Sequence, residues 1–186
     1  MELGKMEIDL EKKIKFENRT NQKLEFAKIS LEEITSRPKL GLVDDFRRSH
    51  EENFLFHLIG AKDSFLQEIN VAYELGIKIK NVSEESLQEK LKGKGGQSDA
   101  LTEIMRLRRN KASWLALAIE LRNIGSHRFH LTRLYYEVDD ENKGKIFLLN
   151  PFTDEKMDDD GIKFLTQCLY EMKALLQCLR TTLPKR

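Results

Sequence analysis

Cysteine, proline and tryptophan are scarce in this chain of 186 residues, with two Cys, three Pro and one Trp. Cys168 and Cys178 lie ten apart within one helical pattern, too far apart along its axis for a disulfide, and no other cysteine is there to pair with either. A disulfide scaffold is therefore excluded, and a reducing cytoplasm is the expected compartment. No stretch approaches 18 apolar residues, and the N-terminus runs into alternating charges rather than an apolar segment, so neither secretion nor membrane spanning is indicated. Charge of one sign is lacking too. The formal net charge is +1 and the sequence pI about 7.7, which argues against a polyanion-coating protein and restricts any nucleic-acid site to a local patch.

What is present is helical patterning over a length sufficient for one sizeable core, 40% of it hydrophobic, with no Pro/Gly/Ser-rich linker to divide it. One compact domain is expected. Residues 1–45 read as one or two peripheral helices, because Leu10, Ile14, Leu24, Ile29, Leu31 and Ile34 are spread among many charges before Pro38 and Gly41. Residues 46–186 read as the helical domain proper. Its first core helix runs from Phe46 to Leu75, with Gly76 as the stop. Ser83 caps a short helix to about Leu91, Gly93-Lys94-Gly95-Gly96 reads as a mobile loop, and Ser98 or Asp99 caps the next helix. The polar run Arg108–Lys111 interrupts that helix before Ser113 restarts it. Residues 131–138 and 145–149, flanking the turn chemistry of Asp139–Gly144, predict a β-hairpin. Asp158–Asp160 form an acidic cap for a last helix carrying Ile162, Leu165, Leu169, Met172, Leu175, Leu176 and Leu179. The fold class is thus mainly all-α, a helical bundle with one β-hairpin inserted before the last helix.

The chemistry concentrates in Arg122-Asn123-Ile124-Gly125-Ser126-His127, at the end of a long apolar helical stretch. Arg is a permanently charged fork for phosphate oxygens, and His carries protons near neutral pH. From this composition Arg-x4-His should arise by chance about 0.26 times and Arg-Asn-x3-His about 0.01 times, so Asn123 supplies most of the specificity. The segment resembles the RNase motif of the prokaryotic HEPN superfamily, in its residues and in its place on a late helix, and the resemblance covers residues 47 to 180. It implies an α-helical homodimer in which two motifs face one cleft, and a metal-independent endoribonuclease leaving 2′,3′-cyclic phosphate ends, with no cofactor. In that scheme His127 is the general base or acid, Arg122 holds the scissile phosphate, and Asn123 positions. Family members occur as toxins and in phage defence, which makes a cognate antitoxin or defence protein an expected partner. Some have lost catalysis.

On an ideal helix, residues five apart are rotated by about 140° and offset by about 7.5 Å, so Arg122 and His127 do not share a face. Gly125 between them permits unwinding or a helix end; the alternative is completion across a dimer. Asn123 and His127, one turn apart, are adjacent, so Asn123 is a candidate to orient the imidazole. Residues 106 to 133 hold seven Lys or Arg against Glu120 alone, and Arg106, Arg108, Arg109, Lys111, Arg128 and His130 are the candidate RNA contacts. The competing reading pairs these cations with the acids of residues 137 to 160. His50 and His57, two turns apart, are too distant to ligate one metal, and Trp114, Tyr135 and Tyr136 serve either as base-stacking aromatics or as core. Two further functions stay open: a non-catalytic HEPN-like dimer that binds RNA, nucleotide or a protein partner, and a purely structural helical adaptor in which Arg122 and His127 are buried or paired with acids.

Overall fold

The dense apolar pattern that begins at Phe46 forms α2 (Asp45–Ala72), and it is buried on more than one side. Phe54, Leu55, Leu58, Ile59, Phe65, Leu66 and Ile69 are each at most 2% exposed. In the computed structural model, which describes residues 2–36, 45–127, 133–137 and 145–184, five further helices surround it. They are α1 (Glu2–Ser36), α3 (Glu84–Gly93), α4 (Asp99–Arg109), α5 (Trp114–His127) and α6 (Gly161–Thr181). A hairpin of β1 (Arg133–Glu137) and β2 (Lys145–Leu149) precedes α6, and β3 (Lys156–Asp160) pairs with the other edge of β2. The molecule is a mainly α-helical bundle. None of the helices described is long and apolar enough to cross a membrane.

α1 is one continuous helix, and its second half is not peripheral: Leu24, Ala27, Leu31 and Ile34 join the central apolar cluster. Its sparse apolar spacing reflects a single stripe lying along α2, while Ile14 and Ile29 stay exposed. Polar ties lock the arrangement. Glu68 of α2, 3% exposed, receives Arg180 of α6 through two bonds of 3.0 Å and the Thr20 hydroxyl of α1 at 2.5 Å, and Arg180 also donates to Asn21 at 3.0 Å. The carboxylate raises the Arg180 pKa against an opposing effect of burial, which is the larger single influence and lowers it. On the other side of α2, buried Lys62 donates to Glu84 at the start of α3 at 2.6 Å and also meets Asp63 at 2.9 Å.

Two helix ends share one geometry with different residues at its strained position. At the end of α3 the Gly96 and Gly95 amides donate to the Leu91 and Lys92 carbonyls, with Gly95 at φ +68°. At the end of α2 the Leu75 and Glu74 amides donate to the Asn70 and Val71 carbonyls, with Glu74 at φ +49°. Both are Schellman closures. Gly76, the expected stop, lies two residues beyond the strained position and is itself left-handed at φ +66°. Gly93–Gly96 is therefore a helix-ending turn and not a free loop; Gly93 belongs to α3, and Lys94 donates to the Glu74 carbonyl at 2.7 Å, capping α2.

Ser83 caps α3 in a reciprocal box with Ser86, and Ser98, not Asp99, caps α4 by accepting from the Leu101 amide. Lys156–Asp160 is a strand where an acidic cap for α6 was expected. A turn organised by Asn150 reverses the chain: its side chain accepts from the Phe152 amide at 2.9 Å, and its own amide donates to the Glu155 carbonyl at 2.8 Å. Backbone pairing then sets Leu149 opposite Lys156 and Phe147 opposite Asp160, a register that needs no apolar alternation in β3. The Asp139–Gly144 turn lies outside the described residues.

Two stability outcomes follow. Glu74→Gly should raise unfolding free energy by about 0.5–1 kcal/mol by relieving a left-handed non-glycine residue, and Gly95→Ala should lower it by about 1 kcal/mol, both read from urea midpoints. Arg180→Ala should cost about 3 kcal/mol because it strands a buried carboxylate, and adding Glu68→Leu should recover part of that loss. If Arg180→Ala alone is neutral, the three-helix tie is not a stability element.

Candidate functional site

Ser113 builds the helix that carries the motif. Its hydroxyl accepts from the Ala116 amide at 3.1 Å and donates to the Leu107 carbonyl at 2.6 Å, joining the end of α4 to the start of α5. Asn110 supports the same turn by accepting from the Ala112 amide at 3.1 Å. Leu115, Ala118 and Leu121 then face the core at 3% exposure or less. With that stripe anchored, α5 passes through Gly125 without unwinding and closes at His127. The unwinding that Gly125 permits does not occur, because a helix tolerates one glycine at about 1 kcal/mol and the packed stripe exceeds that. Helical geometry therefore applies, and positions 122 and 127 of one copy lie about 140° apart around the axis.

Arg122 is half-buried and lines a groove of about 190 Å³ between α5 and α2, together with Leu121 and Gly125 from its own helix and Glu52, Asn53, Leu55 and Phe56 from α2. Arg122 and Gly125, three apart, share this face. Asn123 turns back one helical turn and donates to Glu120 at 3.4 Å, a weak bond.

The described part of the cation cluster, Arg106 to Lys111, sits at the opposite end of α5. Trp114 to Arg122 spans eight residues, about 12 Å of helix rise. Arg106 makes a two-pronged bond to Glu103 at 2.7 Å on both arms, which raises the Arg106 pKa and lowers that of Glu103. Arg108 donates to Glu84 at 3.2 Å and to Glu85 at 2.8 Å, the two acids that open α3. Glu85 is held below the usual carboxylate range mainly by its backbone amide at the helix start, then by Arg108. Arg109 is exposed, and Lys111 lies 5.4 Å over the Phe152 ring. Among the described residues, the acids that meet Arg106 and Arg108 come from α3 and α4. Arg128 and His130 lie outside the described residues.

Trp114 packs half-buried against the core, and His50 and His57 stand on α2 beside Phe46 and Phe56 respectively. Among the described residues no three His, Cys, Asp or Glu side chains gather as a metal-holding group. The α2 wall of the groove, Glu52, Asn53 and Phe56, escaped the sequence reading. One signal was available: Phe56 falls off the stripe formed by Phe54, Leu55, Leu58 and Ile59, and it is 55% exposed.

Arg108 and Arg109 should separate by experiment. Arg108→Ala is expected to lower stability by somewhat less than 1 kcal/mol, its ion pairs being partly solvated, whereas Arg109→Ala should leave the urea midpoint unchanged. Equal midpoints for both variants would show that Arg108 anchors nothing. In comparisons with known proteins, no family model, no curated protein and no solved structure matches this chain.

Proposed function

We propose that this chain is a HEPN-like, metal-independent endoribonuclease acting as a homodimer. The observation that carries the reading is the setting of Arg122, which lines a groove at the protein surface while Asn123 and His127 complete the Arg-Asn-x3-His spacing on the same continuous helix. In the proposed reaction the ribose 2′-oxygen attacks the adjacent phosphorus and the bond to the 5′-oxygen breaks. His127 takes the 2′ proton or delivers one to the departing 5′-oxygen, and Arg122 stabilises the charge gathering on the phosphate. The products are a 2′,3′-cyclic phosphate and a 5′-hydroxyl. Because the two side-chain positions diverge on one helix, the pair is completed between two copies, Arg122 of one working with His127 of the other. A cognate antitoxin or defence protein that covers the cleft fits the same scheme.

The divergence of positions 122 and 127 is also what favours a second reading, a dimer that binds RNA, nucleotide or a protein partner without cleaving.

Purified protein incubated with mixed structured RNAs in EDTA should yield cyclic phosphate ends by mass spectrometry. His127→Ala, folded by circular dichroism, should lose about 10²- to 10⁴-fold in rate, and Arg122→Lys roughly tenfold or more. Mixing Arg122→Ala with His127→Ala protein should restore about one quarter of wild-type activity, since half the dimers are mixed and each holds one intact composite site. No recovery on mixing argues against sites shared between copies. Cleavage that EDTA stops, or a folded His127→Ala that cuts like wild type, hands the function to the second reading.

A further inference from the structure

Phe56 belongs to two features at once. It lines the groove of Arg122, and it opens a strip of aromatic and cationic side chains that runs across α2 onto α1. The Lys23 ammonium lies 4.6 Å from the centre of the Phe56 ring and 3.3 Å from Nδ1 of His57. His57 in turn stands between Phe56, at 5.3 Å, and Phe26, at 5.1 Å. Phe56 is 55% exposed and Phe26 37%. Gly60 leaves room for the Lys23 side chain: a Cβ there would come within 3.3 Å of Lys23 Cδ.

The strip carries two cations, exposed Arg19 and Lys23, the latter 9% exposed with its ammonium beside the Phe56 ring, while Glu52 lines the adjoining groove. Burial and the neighbouring Arg19 lower the Lys23 pKa, and burial, Lys23 and Arg19 lower that of His57. Asp63, the acid that opposes this on Lys23, is engaged by Lys62 at 2.9 Å. A second copy of the chain would bring like charges face to face here, and an uncharged apolar partner would have to bury a cation. An anion carrying flat aromatic rings answers both halves of the surface.

We infer that Phe56, Lys23 and Arg19 form a subsite for one unpaired nucleotide of single-stranded RNA, its base stacked on Phe56 and its phosphate against Lys23 and Arg19, next to the nucleotide whose phosphate Arg122 holds. The inference rests on the RNA reading proposed above and narrows its substrate to a strand whose bases are free. A duplex buries its base faces and cannot stack on Phe56.

The test compares binding of a labelled single-stranded oligoribonucleotide and the matching duplex to wild type, Phe56→Ala, Phe56→Trp and Lys23→Gln, in EDTA and in a His127→Ala background so that the RNA stays intact. Phe56→Ala should weaken single-strand binding about 5- to 100-fold and leave duplex binding unchanged, while Phe56→Trp should preserve it. Lys23→Gln should reduce the slope of log affinity against log salt by about one contact. Unchanged single-strand affinity in folded Phe56→Ala overturns the subsite, as does equal weakening for strand and duplex or no RNA binding at all. A shift in oligomeric state of RNA-free Phe56→Ala, seen by light scattering, would also overturn it and mark the face as an interface between copies. Loss of binding in Phe56→Ala together with no cleavage by wild type leaves the subsite standing while the nuclease reading fails. Cleavage with unimpaired binding in Phe56→Ala gives the reverse.

Discussion

A carboxylate buried at the middle of the bundle constrains how three helices meet. Glu68 is 3% exposed on a helix surrounded by others, and an ion in that setting is tolerated only with nearly all its lone pairs occupied. Arg180 supplies two donors in a plane and Thr20 a third, so α1, α2 and α6 must cross where those groups converge. Lys62 imposes a similar demand on the opposite side. It is 6% exposed and needs Glu84, which places the start of α3 against α2 and, through the second oxygen of Glu84, places Arg108 and the end of α4. Apolar burial supplies most of the driving force, but it is indifferent to small rotations. The two ionic ties are not, and they fix the angular setting of the helices that carry them.

That fixed frame decides what the candidate site is made of. With α4 pinned by Arg108 and joined to α5 through Ser113, the motif helix leaves the frame at a set angle and lays Leu121 on α2, so Arg122 emerges beside Glu52, Asn53 and Phe56. The same pinning occupies part of the cation cluster. Arg108 spans two acids at the mouth of α3 and Arg106 is clasped by Glu103, which leaves less of the residue 106–111 segment to meet phosphate than its charge count suggests. Cations adjoining the groove are found instead across α2 on α1, where largely buried Lys23 lies beside the Phe56 ring and exposed Arg19 acts on His57.

Most of the helical architecture was legible because an apolar stripe and a capping residue are both local signals. α3 could be read from Ser83, and the last helix from the run Leu165, Leu169, Met172, Leu176, all buried in the core. What escaped notice depended on contacts distant in sequence. β3 is held by backbone pairing to β2 and has only Met157 in place of an alternating pattern. The end of α2 was sought at Gly76, whereas the helix already closes through left-handed Glu74, two residues earlier, a position that Lys94 at the end of α3 secures. The partners of Arg108 lie more than twenty residues away, and so does the α2 wall of the groove; neither leaves a mark on the spacing around the motif itself.

Gly125 shows how the same residue type can serve a different physical purpose from the one its spacing suggests. Between Arg122 and His127 it reads as a hinge, yet α5 is continuous there. A helix interior with glycine is less stable than one with alanine by about 1 kcal/mol, so the position is costly unless the absent side chain matters. Three residues beyond Arg122, Gly125 lies on the same helix face and lines the same groove. A side chain at that point would project into the space beside the guanidinium, where a phosphate and its ribose would have to lie in the proposed reaction. In the proposed reaction the glycine would leave the backbone open to the ligand rather than free to bend. In the proposed dimer the continuity of the helix would serve a shared site, because a continuous α5 presents position 122 to its own groove and position 127 about 140° away around the axis.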